Sequence, residues 1–509
     1  MYDYDDNQSS LEQLQTQWKS LIKEQKKQLA NRRYFKRLRW FLLFALVAGS
    51  GYLLDNRPES LSLDKALLAL GITWLGFLPS LQYLLDRNRP PMPFFPLVGI
   101  FYATSFGLPM FANAKAVSER WSVTSVSITA LTIALIGIGG MNIAFFASKF
   151  TLWKQVSPIR LPEPYPIGRL LSLLWLLLLS HLTFIYIPSI REIPSIGQFL
   201  DPVGYVAYGM FYILFSRSKL PSIQAWILLI VCVPLEVIQR FTSGSLAQIM
   251  LLGLFIVIII FHERKRIPVV FISVTLVFFF IFNSVKAEYR YLVWFGGQSS
   301  YLSAIEKAQL FIEIAIKHYQ NSDLKSQDKN YLDSSDSVVS RTAHIILFSN
   351  VIEDTPTIVP YWGGETYLPL LTSLIPRALL PDKPIDNTGN KFGRRYNYLG
   401  SNDFTTSFNL PWIVEMYANL GRWGVLIGMS LVGLLLSFLD QKLNHTRMNS
   451  LEFVIGATIL FRLIYQESNF SLMTGSVITL SLALYILFRV VLGGRRRAAQ
   501  RFESSDFQN

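Results

Sequence analysis

The residue types that could hold a charged ligand gather in a polar stretch at residues 361–424, rich in Gly, Pro, Arg and Lys. Arg377 stands in Ile375-Pro376-Arg377, Lys383 in Pro381-Asp382-Lys383-Pro384, and Arg394 and Arg395 follow as a pair. Three further arginines stand beside apolar runs: Arg240 in a very short connection, Arg290 just past a run, and Arg341 at the head of a helical segment. Guanidinium makes forked, charge-assisted hydrogen bonds to phosphate oxygens, and a low dielectric strengthens them, so a pyrophosphate is the ligand these residues would suit. Each arginine has a plainer alternative, a solvated or carboxylate-paired base. Pro376, Pro381 and Pro384 restrict the backbone on both sides of Arg377 and Lys383, which favours a fixed cradle over a tether.

Glu415, in Pro411-Trp412-Ile413-Val414-Glu415, opens the next apolar run. A carboxylate at membrane depth is costly, so it is a functional candidate. Burial would suit it to act as general base toward an attacking hydroxyl. A salt bridge to a loop arginine is the alternative. Glu236 precedes Arg240 by one helical turn and is placed to pair with it. Arg462 is a further buried-charge candidate. The histidines are dispersed and read as packing or surface residues, Asp3 and Asp5 as solvated charge, and no metal site or cofactor motif is expected. The single cysteine, Cys232, excludes a disulfide within the chain.

What must position these residues is a membrane. The chain has 509 residues, 51% hydrophobic and 16% charged, against about 25% charged in soluble chains. A spanning helix needs about 20 mostly apolar residues. Twelve segments qualify, near 40–54, 66–85, 94–113, 124–147, 167–189, 199–216, 221–239, 246–262, 267–283, 417–439, 451–467 and 472–492, the first being short. The expected fold is therefore an all-α polytopic membrane protein of about 12 transmembrane helices. Its parts are a basic segment at 1–39 that does not read as a signal peptide, nine spans over 40–283, one large loop at 284–410, three spans over 411–492 and a basic tail at 493–509. Within the loop, 300–319 and 338–351 read as helices and 361–407 as mostly irregular.

Every second connection is basic: Arg87 and Arg89, then Lys149 to Arg169, Arg217 and Lys219, Arg264 to Arg266, Lys442 and Arg447, and the tail Arg495 to Arg497. That is the positive-inside pattern, with both termini cytoplasmic and the large loop outside. The net charge of +13 then belongs to the cytoplasmic loops and does not imply nucleic acid.

The organisation resembles the O-antigen polymerase (Wzy) family of oligosaccharide repeat unit polymerases. The resemblance rests on Arg341, Thr355-Pro356, Tyr361-Trp362-Gly363-Gly364, Ile375-Pro376-Arg377, Lys383-Pro384 and Pro411…Glu415-Met416-Tyr417…Asn419…Gly421…Gly424, together with one large outer loop late in a bundle. It implies a GT-C-like bundle with short helices in a periplasmic loop, in the bacterial cytoplasmic (inner) membrane. It implies a metal-independent, inverting glycosyltransferase joining undecaprenyl-pyrophosphate-linked oligosaccharides into O-antigen, capsule or exopolysaccharide. A chain-length regulator and a flippase are candidate partners beside the bilayer. Carried onto this chain, Arg240, Arg290, Arg341 and Arg377 would hold the pyrophosphate, with Lys383, Arg394 and Arg395 around them. Arg377 and Arg341 would stabilise its leaving charge, and the acceptor would lie near Glu415. An O-antigen ligase is the nearest alternative. Ligases usually carry a histidine shortly before the last spans, and residues 403–411 contain none. A lipid-linked sugar transporter would place its charges between spans, often in two similar halves, and no halves are visible.

Overall fold

The computed structural model describes residues 4–112, 121–161, 165–193, 196–242, 246–295, 302–320, 342–373 and 386–493, and no strand occurs among the described residues. Among the described residues the long helices of the first half are α1 Tyr4–Asp55, α2 Leu63–Leu85, α3 Phe94–Phe111, α4 Ile128–Phe150, α5 Ile167–Tyr186, α6 Gly197–Ser216, α7 Ser222–Arg240, α8 Leu246–Arg264 and α9 Val269–Arg290. The loop carries α10 Ala304–Gln320, α11 His344–Asp354 and α12 Thr388–Arg395. The chain then continues through α13 Trp412–Leu443, α14 Ser450–Phe461 and α15 Phe470–Gly493.

Among the described residues, nine helices are long and apolar enough to cross a membrane: the 25–55 part of α1, then α2 to α7, α13 and α15. Val269–Phe279 within α9, and α14, are shorter apolar helices. The outward surface is apolar too. Ile223, Val270, Phe44 and Trp40 all stand exposed, which suits a face turned to lipid and would be costly in water. The chain is thus an all-helical polytopic membrane protein.

Three local features depart from plain helices. The polar segment before residue 40 and the first apolar run are one continuous helix, α1. Nothing between Leu29 and Trp40 breaks a helix, and helix formation is indifferent to the change from basic to apolar side chains. Second, α3 tightens through a π turn at Ala103–Gly107 and a 3-10 turn at Leu108–Phe111, and α7 contains a π turn at Leu228–Cys232. Third, α13 is broken at Leu420 and Gly421, where Gly421 takes φ 63°, ψ −151°, a region open essentially to glycine alone. A Cβ there would also sit 2.8 Å from the Tyr361 hydroxyl.

The connections sort into two ends. At one, Ile159 N–H bonds the Lys442 carbonyl at 3.1 Å, Asn444 takes the Met92 N–H at 2.9 Å, and Arg217 pairs with Glu263 at 2.6 Å. These are the basic connections, packed on one another. At the other end the loop is docked. Ser127 N–H donates to Ser349 Oγ at 2.9 Å, and Trp362 N–H and Gly363 N–H bond the Ala418 and Asn419 carbonyls at 3.0 and 3.2 Å.

Candidate functional site

The loop end is held by a bracket of polar groups with Glu415 at its centre. Glu415 is fully buried, and its Oε2 accepts the Phe470 N–H at 2.6 Å. Phe470 is the first residue of α15, so a carboxylate meets the positive end of a helix dipole. Asn419, one turn on, donates from Nδ2 to Thr366 Oγ1 and to the Glu415 carbonyl, both at 2.8 Å, and accepts the Gly364 N–H at 2.9 Å. Ser471 Oγ closes the bracket on the Thr366 carbonyl at 2.9 Å. The bracket ties the loop and the start of α13 to the start of α15. Among the described residues Glu415 has no arginine ion pair, and the loop residues Arg341 and Arg377 lie outside them. Through Oε2 the Glu415 side chain is joined to the start of α15.

What the bracket positions is a cavity of about 370 Å³ between α6, α8, α14 and α15. Glu467, Ser468, Leu472 and Met473, around the clamped start of α15, form one wall. Asp201, Tyr205 and Arg462 face it with Leu251 and Phe461. Its charged residues are Asp201, Arg462 and Glu467, and the rest of the lining is apolar or neutral polar. Glu467 Oε1 accepts from Asn409 Nδ2 and lies 3.3 Å from His344 Nε2, so the loop reaches the cavity through this carboxylate.

Behind Asp201 runs a chain of buried charges. Asp201 Oδ1 accepts from Arg240 Nη2 at 3.1 Å; Arg240 Nε donates to Glu236 Oε1 at 2.8 Å; Glu236 Oε2 meets His181 Nε2 at 2.8 Å. The other ring nitrogen, His181 Nδ1, lies 2.9 Å from the Leu200 carbonyl. A carbonyl can only accept, and an ionised carboxylate can only accept. Both contacts are satisfied only when the ring donates from both nitrogens or Glu236 carries the proton. The chain therefore holds one proton more than a neutral ring and an ionised Glu236. As imidazolium it reads minus, plus, minus, plus from the cavity inward, which suits charges buried at about 1–8% side-chain exposure for His181, Glu236 and Arg240. Gly204 makes room for the ring: a Cβ there would come 2.6 Å from it.

Arg462 stands apart. Its Nη1 reaches the Gln198 carbonyl at 3.4 Å, and no carboxylate lies within ion-pair distance of it among the described residues. It is the cation with bonding capacity left toward the cavity.

Of the residues singled out from sequence, Arg240 lies in this charge chain, paired with Glu236 as its spacing allows and also with Asp201. Arg394 donates to Asn390 Oδ1 at 2.9 Å and lies 4.3 Å from the Phe404 ring; Arg395 donates to the Pro360 carbonyl at 2.8 Å and lies 4.3 Å over Trp362. Both sit on the docked loop and do not line the cavity. Arg290 closes α9. Arg341, Arg377 and Lys383 lie outside the described residues. Asp201, His181 and Glu467 were not singled out as ligand-facing. Asp201 sits in the first turns of α6, where an acid is ordinary, and its partner is 39 residues away. The docked loop turns at Asp403, whose carboxyl is pushed down to about 2 by the Thr406 hydroxyl and N–H and by Thr405.

No curated protein and no solved structure matches the chain. A family model described as a domain of unknown function, DUF8712, matches residues 165–495, which takes in α5 to α15, the docked loop, the bracket and the cavity. The chain belongs to that family, a domain of unknown function carried here by a polytopic membrane bundle.

Proposed function

We propose that the chain is a lipid-linked oligosaccharide polymerase, a GT-C-like, inverting glycosyltransferase of twelve spans. It would lie in a bacterial cytoplasmic membrane with both termini inside and the loop end outside. The observation that carries this reading is the character of the loop-end cavity. A half-buried guanidinium with no carboxylate in ion-pair distance among the described residues, Arg462, shares it with two carboxylates, Asp201 and Glu467, and with an apolar wall. A diphosphate attached to a polyisoprenyl chain has the matching halves. Guanidinium would hold the diphosphate through charge-assisted bonds, and the apolar residues would meet the first isoprene units.

The step is a displacement at the anomeric carbon of the growing chain. The hydroxyl oxygen of the incoming unit forms the new C–O bond, the bond to the diphosphate oxygen breaks, and the diphosphate leaves with its electron pair on its lipid. The hydroxyl proton passes to a cavity carboxylate, Asp201 or Glu467. Arg462 stabilises the charge that develops on the leaving group. Arg377, Arg341, Arg290 and Lys383 are proposed to complete the cation set from the loop, and Glu415 to hold α15 in place. A ligase-type transferase is favoured by one observation: His344 brings an imidazole to Glu467, beside Asn409, so a histidine does approach the stretch before the last spans.

The test is product length. Arg462→Ala and Arg377→Ala, each present at normal level, are expected to leave single repeat units on the lipid carrier in place of a ladder of long chains. Long chains from both variants would refute the polymerase reading. Loss of a single lipid-transfer product with polymer unchanged would favour the ligase.

A further inference from the structure

The bundle has a second cavity of about 360 Å³ at the opposite, basic end, among the ends of α2, α4 and α13 and the start of α3. Its walls differ from those of the first. Phe94, Phe95, Phe146 and Phe150 line it, and the Phe95 and Phe145 rings stack at 3.6 Å to form its floor. Phe150 and Leu85 are largely exposed on the outer surface, so the cavity borders the apolar face turned to lipid. Its charged groups are Lys149, Asp440 and Asp86.

Lys149 Nζ lies 3.5 Å from Asp440 Oδ2, a long contact for a charge-assisted bond. Asp440 has another partner in Asn444 Nδ2 at 2.8 Å. An ammonium has three donors, so Lys149 keeps capacity for an anion. Asp86 sits at the rim with one oxygen accepting the Asn88 N–H at 2.8 Å. Arg89, close by, has its guanidinium 3.7 Å from the Phe35 ring of α1 and donates to the Asp86 carbonyl. The cavity thus offers one cation within, one anion at the mouth and aromatic walls toward the bilayer. A purely anionic headgroup would meet two carboxylates; a purely cationic one would meet Lys149. A headgroup carrying both signs, with a protonated amine, matches each.

We propose that this cavity binds the zwitterionic headgroup of an aminophospholipid of the surrounding bilayer. Its phosphate lies at Lys149, its ammonium at Asp86, and its glycerol and first acyl methylenes lie along Phe94, Phe146 and Phe150. The volume is within the roughly 300–1,000 Å³ usual for small-molecule sites. The site is independent of the loop-end cavity and of any reaction there.

The experiment is native mass spectrometry of the full-length protein, delipidated in detergent and titrated with dioleoyl phosphatidylethanolamine, phosphatidylcholine or phosphatidylglycerol. One tightly retained phosphatidylethanolamine is expected, with the other two weaker by about tenfold, the scale of one charge-assisted bond. Lys149→Gln is expected to remove retention of phosphatidylethanolamine. Asp86→Asn, at the rim and away from the buried Asp440, is expected to abolish the preference over phosphatidylcholine, whose ammonium has no N–H. Free glycerophosphoethanolamine should not displace the lipid. Equal retention of phosphatidylglycerol, unchanged selectivity in Asp86→Asn, or displacement by the free headgroup would overturn the proposal.

Discussion

The two ends of the bundle use ion pairs differently. At the basic end each pair ties one connection to another: Arg217 to Glu263 at 2.6 Å, Arg160 to Glu452 at 3.3 Å, Lys149 to Asp440 at 3.5 Å. The cations there are partly exposed, with Arg160 and Arg217 side chains at 48% and 43%, and Glu452 doubles as a helix cap in a capping box with Asn449. At the loop end one set of charges is linked in series, with His181, Glu236 and Arg240 buried and Asp201 partly exposed at the cavity. His181, Glu236, Arg240 and Asp201 come from three helices, and the series ends at a cavity where Arg462 has no carboxylate partner among the described residues. Pairs between connections fasten the basic end. A buried series that stops at a cavity instead holds charges in fixed places, at a cost in desolvation that stability alone does not explain.

That contrast can be broken by mutation. Removing one partner from a buried series leaves an uncompensated charge and costs about 3–5 kcal/mol, whereas an exposed pair contributes about 0–1 kcal/mol. His181→Ala is therefore expected to lower the midpoint of thermal unfolding in detergent far more than Arg217→Ala, with tryptophan fluorescence as the readout. Equal shifts would erase the distinction. A smaller loss belongs to the hinge that seats the loop. Gly421→Ala places a side chain in a glycine-only conformation, at about 1–3 kcal/mol, and against Tyr361. It should loosen the loop first, seen as faster trypsin cleavage at Arg394 and Arg395 before global unfolding.

The smallest effect is on the Asp403 turn. Its folded carboxyl is held at about 2, below the ordinary aspartate value of about 3.9. Its contribution is thus complete above about 3.9 and is lost as pH falls through 2. Pepsin cleavage at Phe404, relative to a reference site, should stay slow at pH 3 and rise toward pH 2, with Asp403→Asn cleaved fast at both. A flat ratio would remove the turn from the account.

The class of the fold was legible because membrane spans are written in apolar runs, and α2 to α7, α13 and α15 fall where such runs stand. The first span reads short from sequence because a change of polarity marks its start, while α1 crosses that change as one helix. In the candidate site, the Glu236–Arg240 pair was legible because i and i+4 share a helix face. Asp201 and His181 were not, since their contacts join α5, α6 and α7 and leave no periodic trace. Glu415 was legible as a buried carboxylate; its partner, the N–H of Phe470 at the start of α15, was not, because a backbone donor has no sequence signature.

The proposed occupancy of the loop-end cavity by a lipid diphosphate is tested by binding of undecaprenyl diphosphate to the purified full-length protein. Saturable binding is expected that weakens at least about tenfold in Arg462→Ala, the scale of one lost charge-assisted contact, and is unchanged in Arg217→Ala at the other end. Equal binding by Arg462→Ala and the parent chain would contradict it.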